Sequence, residues 1–459
     1  MDKTTQILVD YVTGLEFGQL PDSTIRQTKK RLIDAIGCAM GGYVSEPAAI
    51  ARRIAARHQG EPSARVLGTG RRTSMEMATF ANGVMTRYLD YNDTYISKGS
   101  GHPSDMIPAC LAVAEAHRAS GRDLLLSIVV AYEVYTGLAD VVGLRDLGWD
   151  QGLYVVLGSA AGAARLLGLT REQTANALAI AVSANVPTRQ TRSGELSMWK
   201  GCATAASARA GVFSALLAAD GMSGPTAAFE GRHGVWDQVT GPFELKRLGG
   251  HGTAFGIERT NLKFFASEYH SQAPLAMALE LRSKVRVEDI EAINVQTYHT
   301  AYSEIGSEPE KWNPQTRETA DHSLPYLLAV ALVDGFVKVE SFSQERMRDP
   351  ALRQLMQRIK VAENPQFTLQ FPSKLVTEIE LLTRGGDRLV ETASYPKGHA
   401  QNPMSDAEVD LKFMSLCEPL IDAAQREALL GALQEIDGAR DVGRILDLLQ
   451  ITEKGLKPQ

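Results

Sequence analysis

The hydrophobic periodicity of this chain changes twice along its length, and these changes constrain the fold more than any other feature. From residue 1 to about 260, apolar residues recur at helical spacing, as in "DLLLSIVVAYEVYTGLADVV". Between about 262 and 400, "IEAINVQTYHT" and "KLVTEIELLTRGGDRLVETASYP" alternate apolar and polar residues, which is typical of strands. Helical spacing then returns after Pro403. The sequence therefore predicts a mostly α fold, with a large all-helical domain built from both chain ends and a smaller inserted α+β domain.

Local signals refine this division. Thr170 with Gln173 and Ser405 with Glu408 have the spacing of capping boxes, which indicates two helix starts. "HSLPYLLAVALVDG" and "PALRQLMQRIKV" are predicted to be helical, and Gly385-Gly386-Asp387 is predicted to be the turn of a hairpin. The boundaries that we expect are 1–261 for the helical domain, 262–400 for the α+β domain and 401–459 for the returning helices.

Small residues are dense in the helical part, as in "GCAMGG", "GSAAGAARLLG" and "GCATAASARAG". Glycine and alanine on a helix face let two helix axes approach closely. We therefore expect the helical domain to be tightly packed.

Composition excludes several classes of function. The net charge of −6 gives no electrostatic footprint for nucleic acid or for an anionic membrane surface. The longest apolar run is interrupted by Glu133 and Asp140, so it falls short of the about 20 uncharged residues of a membrane span. The N-terminal residues lack the Arg-rich or apolar character of a presequence, and we expect a cytoplasmic protein.

The four cysteines do not indicate a metal centre. No two of them have the short spacing of zinc or iron–sulfur ligands, and four are too few for a disulfide scaffold. We expect them to be small buried residues, and we expect no iron–sulfur chemistry. The four are Cys38, Cys110, Cys202 and Cys417.

The segment "YLDYNDTYISKGSGHPSDMIP", residues 88–108, is unusually polar for this chain. One interpretation is a helix start, with Ser104 as N-cap and Asp105 at the positive end of the helix dipole. The same geometry also suits function, because a helix N-terminus preceded by His102 can bind a carboxylate. Asp90 and Thr94 would then supply a base and a hydroxyl. Metal binding by the acids and the histidine is a third interpretation, although no ligand spacing supports it.

Further polar residues stand at the edges of apolar segments. Lys200 enters a small-residue helix, where a lysine either reaches water or is held for a purpose. Lys263 and His270 lie where the helical region gives way to the α+β region, and His322 and Tyr326 open an apolar helix. Each alone is more often structural than catalytic. Together, cations, histidines and a tyrosine at such boundaries suggest one cleft for a polyanionic substrate.

Five segments in this order resemble the 2-methylcitrate dehydratase / cis-aconitate decarboxylase family (MmgE/PrpD). They are "LDYNDT…GHPSDMIP", "SMWKG", "EYHSQ", "TADHSLPY" and "YPKGH". The resemblance runs from about residue 5 to 450. It implies a helical domain with an α+β lid, usually as a homodimer, without a metal or organic cofactor.

The resemblance also implies a set of site residues. The family's active-site Asp, Thr and His fall on Asp90, Thr94 and His102, and its active-site lysine falls on Lys200. The family's lysine at the lid junction falls on Lys263, and its tyrosine after "HS" falls on Tyr326. The catalytic candidates are thus Asp90, His102, Lys200 and Tyr326, and the substrate-binding candidates are Thr94, Lys263, His270 and His322.

The expected activity is dehydration of 2-methylcitrate, or of a related tricarboxylate such as citrate, by side chains alone. Such a reaction needs a general base, a general acid and cations that stabilise the dianion formed beside a carboxylate. The decarboxylase branch of the family carries a histidine where this chain has Trp149. The alternatives are cis-aconitate decarboxylation, epimerisation of an iminodicarboxylate, or a non-enzymatic helical scaffold, against which the charges clustered in apolar helices speak.

Overall fold

The secondary structure is mostly α-helical with some β-structure, in a computed structural model that describes residues 1–451. The last eight residues of the predicted segment 401–459 therefore lie outside the described residues. In chain order, the helices are α1 (Lys3–Gly14), α2 (Asp22–Gly42), α3 (Glu46–Ala55), α4 (Met75–Tyr88), α5 (Ile107–Ala116), α6 (Gly121–Val141), α7 (Gly152–Leu166), α8 (Arg171–Ala184), α9 (Ala203–Ala219), α10 (Gln272–Arg282), α11 (His299–Ile305), α12 (Arg317–Ala320), α13 (Leu324–Asp334), α14 (Gln344–Met347), α15 (Pro350–Met356), α16 (Pro365–Thr368), α17 (Asp406–Cys417), α18 (Ala423–Gln434) and α19 (Gly443–Leu446).

Within residues 1–451, the strands fall into three sheets, two of which have two strands each. The third sheet has four strands in the order β6-β5-β7-β8, with β6 parallel to β5 and the other neighbours antiparallel. The strands are β1 (Ser63–Arg65), β2 (Arg72–Ser74), β3 (Tyr95–Ile96), β4 (Ser100–Gly101), β5 (Ile290–Thr297), β6 (Ile359–Glu363), β7 (Thr377–Thr383) and β8 (Arg388–Ala393).

The chain divides into two compact units. Among the described residues, unit 1 comprises 1–189, 201–260 and 405–451, and unit 2 comprises 190–200 and 261–404. The sequence placed 190–200 in the helical domain, but this segment groups with unit 2 because its backbone is held there. Within unit 2, the Leu196 N–H donates to the hydroxyl of Thr319, and its carbonyl accepts from the hydroxyl of Thr316.

Unit 1 is a close-packed helical body, as the small residues predicted. A Cβ atom at Gly211 on α9 would lie 2.6 Å from the Val156 carbonyl oxygen on α7, so these helices approach too closely for any side chain there. The predicted capping boxes at Thr170 and Ser405 both form. The expectation of an all-helical domain is wrong in detail, because the antiparallel pairs β1–β2 and β3–β4 lie in this unit.

Helix α6 is the longest apolar segment of unit 1. By length and composition it could cross a membrane, but 89% of its 18-residue apolar window is buried. Glu133 within it accepts backbone N–H groups of Gly249 and Gly256, which gives its carboxyl group partners in the interior. The helix thus forms part of the core.

Unit 2 has its hydrophobic core between the four-stranded sheet and helices α10, α13 and α15. The predicted alternation in β5 is confirmed, since Ile293, Val295 and Thr297 are buried while Gln296 is exposed. The predicted hairpin is β7–β8. "PALRQLMQRIKV" is helical only to Met356; its last residues begin β6, because pairing with β5 satisfies their backbone groups.

Candidate active site

The polar segment 88–108 is folded into the interior of unit 1. It runs from the end of α4 through the short pair β3–β4 to a 3₁₀ turn at Pro103–Met106, which leads into α5. Asp90 follows α4 with a left-handed backbone, φ 51°, which reverses the chain direction. Most polar side chains of segment 88–108 are nearly inaccessible to solvent, so the segment is more than a solvated helix start. The residues at most 2% exposed include Asp90, Asn92, Asp93, Thr94, Ser104 and Asp105.

The imidazole of His102 has a defined orientation. Its Nδ1 atom lies 2.7 Å from the backbone carbonyl oxygen of Asp93 and 3.2 Å from Oγ1 of Thr94. A carbonyl oxygen can only accept a hydrogen bond, so Nδ1 carries the proton and the neutral ring has its lone pair on Nε2. Nε2 lies 3.9 Å from Oδ1 of Asp90. Asp90, Thr94 and His102 are therefore brought together, as a proton-transfer group requires.

Asp93 connects the two ends of the segment. Its carboxylate accepts the Ser104 N–H at 2.9 Å and the Tyr132 hydroxyl at 2.8 Å. Burial raises the pKa of Asp93, although these hydrogen bonds and the Arg31 guanidinium act to lower it. Asp93 was not among the predicted site residues, and nothing in its local pattern distinguishes it from its neighbours.

Ser104 is not a helix N-cap, contrary to expectation. It lies inside the 3₁₀ turn, whose N-cap position is His102, and the turn has no side-chain cap. The Ser104 hydroxyl instead accepts a hydrogen bond of 2.8 Å from Nδ2 of Asn92, which also donates to Asp105 at 2.8 Å. The reason is that Asp93 has taken the Ser104 N–H, so the serine is drawn into the segment's own network.

Arg87, at the end of α4, supplies a buried cation that the sequence did not single out. Its guanidinium is in contact with Asp90, and its Nε lies 3.8 Å from Oδ2 of Asp105. Both carboxylates thus face a fixed positive charge, which disfavours a metal ion bound by the same oxygens. The sequence signal that could have identified Arg87 is its position as an arginine at the end of a largely apolar helix.

Gln151 is a second residue missed from the sequence. Its Oε1 accepts the backbone N–H of His102 at 2.6 Å and the hydroxyl of Tyr135 at 2.7 Å. Gln151 lies directly before α7, and it holds the backbone of His102, the residue whose ring is oriented by the Asp93 carbonyl. The position of His102 thus depends on side chains from α6 and from the start of α7.

Lys200 belongs to unit 2, in a 3₁₀ turn at Met198–Gly201 that precedes α9. The expectation that it lies on the small-residue helix is therefore wrong by less than one turn. Its side chain is 2% exposed, and its Nζ lies 2.8 Å from Oδ1 of Asp321. Asp321, another residue that was not predicted, also accepts from Arg317 at 3.1 Å.

His322 joins the same group. Its Nδ1 lies 2.6 Å from Oδ1 of Asp321 and 3.3 Å from Nζ of Lys200. Although burial acts to raise it, the pKa of Asp321 is lowered by the Lys200 ammonium, the hydrogen bond from His322 and the Arg317 guanidinium. Two of the predicted residues, Lys200 and His322, are thus brought together by a buried carboxylate.

Lys263 and His270 also belong to unit 2. Lys263 is fully buried in the loop before α10, next to Leu262, whose N–H donates to the Gly398 carbonyl. Nδ1 of His270 lies 2.5 Å from the hydroxyl of Tyr298. Burial raises the pKa of Tyr298, so this hydroxyl stays protonated at neutral pH.

Tyr326 does not have the surroundings of a proton donor to substrate. Its ring lies in the hydrophobic core of unit 2, and its hydroxyl donates to the carbonyl oxygen of Ser341. Burial raises the pKa of this phenol further above its ordinary value. The tyrosine was predicted from its match to the family's tyrosine after "HS", but it lies on helix α13, which begins at Leu324, and its ring packs in the core.

Comparison with known proteins found relatives that match nearly the whole chain. The chain is 27% identical to a mitochondrial 2-methylcitrate dehydratase of Yarrowia lipolytica, over 97% of this chain and 90% of the relative. It is 28% identical to a 2-methylcitrate dehydratase of Cupriavidus necator, over 98% and 97% of the two chains. It is also 25% identical to a cis-aconitate decarboxylase of Mus musculus, over 98% and 94%.

Two domain families cover most of the sequence. The MmgE/PrpD N-terminal domain matches residues 6–248, which carry the His102 network. The MmgE/PrpD C-terminal domain matches residues 265–436, which carry Asp321 and His322. The chain therefore belongs to the MmgE/PrpD family.

Proposed function

We propose that this protein is a hydro-lyase that removes water from 2-methylcitrate, or from a related tricarboxylate such as citrate, to give the cis-aconitate-type alkene. The observation that carries this proposal is the fixed imidazole of His102. Its Nδ1 hydrogen is committed to the Asp93 carbonyl, so its Nε2 is the atom that exchanges a proton, beside the carboxylate of Asp90. The two relatives named as 2-methylcitrate dehydratases, matched over nearly their full lengths, support the substrate.

The reaction sets clear demands on side chains. A hydrogen on carbon next to a carboxylate is a very weak acid, so its removal requires a base and stabilisation of the resulting dianion. We assign His102 and Asp90 to proton transfer, and the hydroxyl of Thr94 to a hydrogen bond with substrate. The buried ammonium groups of Lys200 and Lys263 are suited to substrate carboxylates.

The remaining predicted residues have secondary roles. Of the two histidines expected from sequence to contact substrate, His270 and His322, we keep that role for His270. We give Tyr326 no proton-transfer role, because its hydroxyl is engaged by a backbone carbonyl within the core. Tyr326 instead packs helix α13 into the hydrophobic core of unit 2.

Decarboxylation of cis-aconitate is the second candidate, supported by the Mus musculus relative. Trp149 argues against this reaction, because the decarboxylase branch has a histidine at that position. The backbone N–H of Trp149 donates to the Leu144 carbonyl, and Trp149 forms an isolated antiparallel bridge with Thr188. An indole cannot transfer a proton as an imidazole does. Epimerisation of an iminodicarboxylate would use the same proton transfer beside a carboxylate.

The test is to incubate the purified protein separately with 2-methylcitrate, citrate and cis-aconitate. Alkene absorbance appearing with the first two substrates, without carbon dioxide, is expected. Carbon dioxide released from cis-aconitate would instead identify a decarboxylase. No turnover of any of the three would contradict the proposed function and favour a different substrate or a non-catalytic role.

We further propose that the reaction needs no metal or organic cofactor and that the protein acts as a homodimer. The support for the first point is chemical, since the buried carboxylates of Asp90 and Asp321 each face cationic side chains. Activity should survive exhaustive chelation; loss restored by added iron or zinc would contradict this. Light scattering of the purified protein tests the dimer.

A further inference from the structure

The buried carboxylate of Asp321 accepts from three donors at once. Oδ1 receives the Lys200 ammonium at 2.8 Å and Nδ1 of His322 at 2.6 Å, and Oδ2 receives the Arg317 guanidinium at 3.1 Å. Asp321 is completely inaccessible to solvent. A residue with this many charged partners fixes the positions of all three side chains together.

This arrangement defines the tautomer of His322. The pKa of Asp321 is held low, so its carboxylate is ionised and can only accept hydrogen bonds. Nδ1 of His322 must therefore carry a hydrogen. The neutral imidazole then has its lone pair on Nε2, on the far edge of the ring from Asp321.

A carboxylate bound to Nδ1–H is the arrangement that prepares an imidazole as a general base. It holds the ring in the tautomer whose Nε2 can accept a proton, and it stabilises the imidazolium that forms. The ammonium of Lys200 lies 3.3 Å from Nδ1, and the guanidinium of Arg317 binds the same carboxylate, so Asp321 is held in place against the ring.

We propose that His322 is the general base of the lyase reaction and that Asp321 is its positioning residue. This inference rests on the proposed function and gives His322 a different role from the substrate contact expected from sequence. Nothing in it requires Asp321 to take up the proton.

For a hydroxy-tricarboxylate, the reaction removes a proton and a hydroxide from adjacent carbons. Nε2 of His322 takes the hydrogen from carbon next to a carboxylate, and the electron pair of that C–H bond becomes the second bond of the alkene. The C–O bond breaks with its electron pair on oxygen, and the departing hydroxide takes up a proton from solvent and leaves as water. His322 then gives its proton to solvent and returns to its starting form.

The first variant is His322→Gln, which leaves the Lys200–Asp321–Arg317 contacts in place. We expect kcat for 2-methylcitrate to fall roughly 10²–10⁴-fold with little change in KM. We also expect loss of the acidic limb of the pH profile of kcat/KM. Added imidazole should partly restore the rate of His322→Ala. Retention of kcat and of the pH profile in His322→Gln would overturn the proposal.

The matched control is His299→Gln in the same unit. Nδ1 of His299 also lies close to a carboxylate, 2.8 Å from Oε2 of Glu363, but its side chain is 62% exposed. This variant should keep both the rate and the pH profile. An equal loss in the two variants would show a general effect of removing a histidine and would overturn the proposal.

Asp321→Asn tests the positioning role, with folding checked by thermal melting because it leaves two buried cations without their carboxylate. If it folds, its pH profile should shift while KM changes less than kcat; an unchanged profile would overturn the role. The His322 tautomer can be read separately by ¹⁵N NMR of the imidazole in the wild-type protein, where Nδ1–H is expected. An Nε2–H tautomer would overturn the role of His322, whatever the activity assays show. Inactivity towards all three tricarboxylates would by itself contradict only the proposed function.

Discussion

The imidazole of His102 donates its Nδ1 hydrogen to the backbone carbonyl of Asp93 over 2.7 Å. The side chain of Asp93 is itself held by the Ser104 N–H and the Tyr132 hydroxyl. A main-chain carbonyl in a buried loop cannot rotate as a side chain can, so the ring orientation follows from the fold of segment 88–108. This link explains why buried residues without direct chemistry belong to the site.

His102→Asn should lower the rate by roughly 10²–10⁴-fold, since an amide can hydrogen-bond to Asp93 but cannot transfer a proton near neutral pH. Its melting temperature should change little. Ser104→Ala should instead cost about 1 kcal/mol of stability through the lost bond from Asn92, with a smaller effect on rate. Steady-state kinetics and thermal melts check both, with the exposed His117→Asn as control. Full activity in His102→Asn would remove His102 from the mechanism.

Lys200→Met should lower both activity and stability. Methionine keeps the volume of the side chain but removes its charge. Because Asp321 then loses one of its buried partners, the free energy of unfolding should fall by up to about 3 kcal/mol, limited because Arg317 remains. Chemical denaturation measures this, and Lys374→Met, at an exposed lysine of the same unit, should have no effect. Unchanged stability in Lys200→Met would contradict the ion pair.

Lys412→Met should destabilise the chain by about 3–5 kcal/mol, because it leaves Asp34 buried without its cation. Lys412 also donates to the carbonyl of Tyr91 at 2.7 Å, so the rate should fall as the polar segment loosens. Lys30→Met is a matched control, since Lys30 joins the same two helices through the exposed Asp406 and should cost about 1 kcal/mol or less.

The Lys412 prediction has a stricter form as a double-mutant cycle. If Asp34 and Lys412 interact as the structure shows, Asp34→Asn with Lys412→Met together should destabilise less than the sum of the single changes. Strict additivity in urea denaturation would contradict the pairing.

Glu133 should make stability depend on pH. Burial raises its pKa to about 7, although the Gly249 and Gly256 N–H groups act to lower it. Between pH 4.5 and 7 the folded state then holds a proton that the unfolded state has lost, so the free energy of unfolding falls as pH rises, by about 1–3 kcal/mol. Glu133→Gln should lose this dependence while losing one hydrogen bond. Denaturation curves at pH 5 and pH 8 compare the two proteins; parallel pH dependence would place the pKa near its ordinary value.

Much of the local structure could be predicted from the sequence, because its causes lie within a few residues. A Thr170 hydroxyl and a Gln173 side chain three positions on form the same capping box in any helix start. Alternation along 290–297 predicts which side of a strand is buried whatever it packs against. The small residues predicted close helix packing for the same reason, since a position without a large side chain lets any neighbouring helix approach closely.

The sequence was less informative where a contact joins distant residues. It marked Lys200 and His322 as candidates, but not Asp321, which binds both and lies 121 positions from the lysine. It marked Tyr326 as catalytic, although the start of α13 turns that ring into the core.

The sequence by itself determined where the long helices, strand β5 and the β7–β8 hairpin form, which residue types were available for proton transfer and anion binding, and the family to which the chain is similar. Tertiary structure decided which of these residues meet. His102 obtained its tautomer from the Asp93 carbonyl, Lys200 and His322 obtained a common carboxylate, and Lys412 was placed against Asp34, 378 positions away in the chain. The physical reason is that periodicity and capping express backbone geometry over one or two turns, whereas a buried charge takes its partner from whichever element the packed core brings beside it.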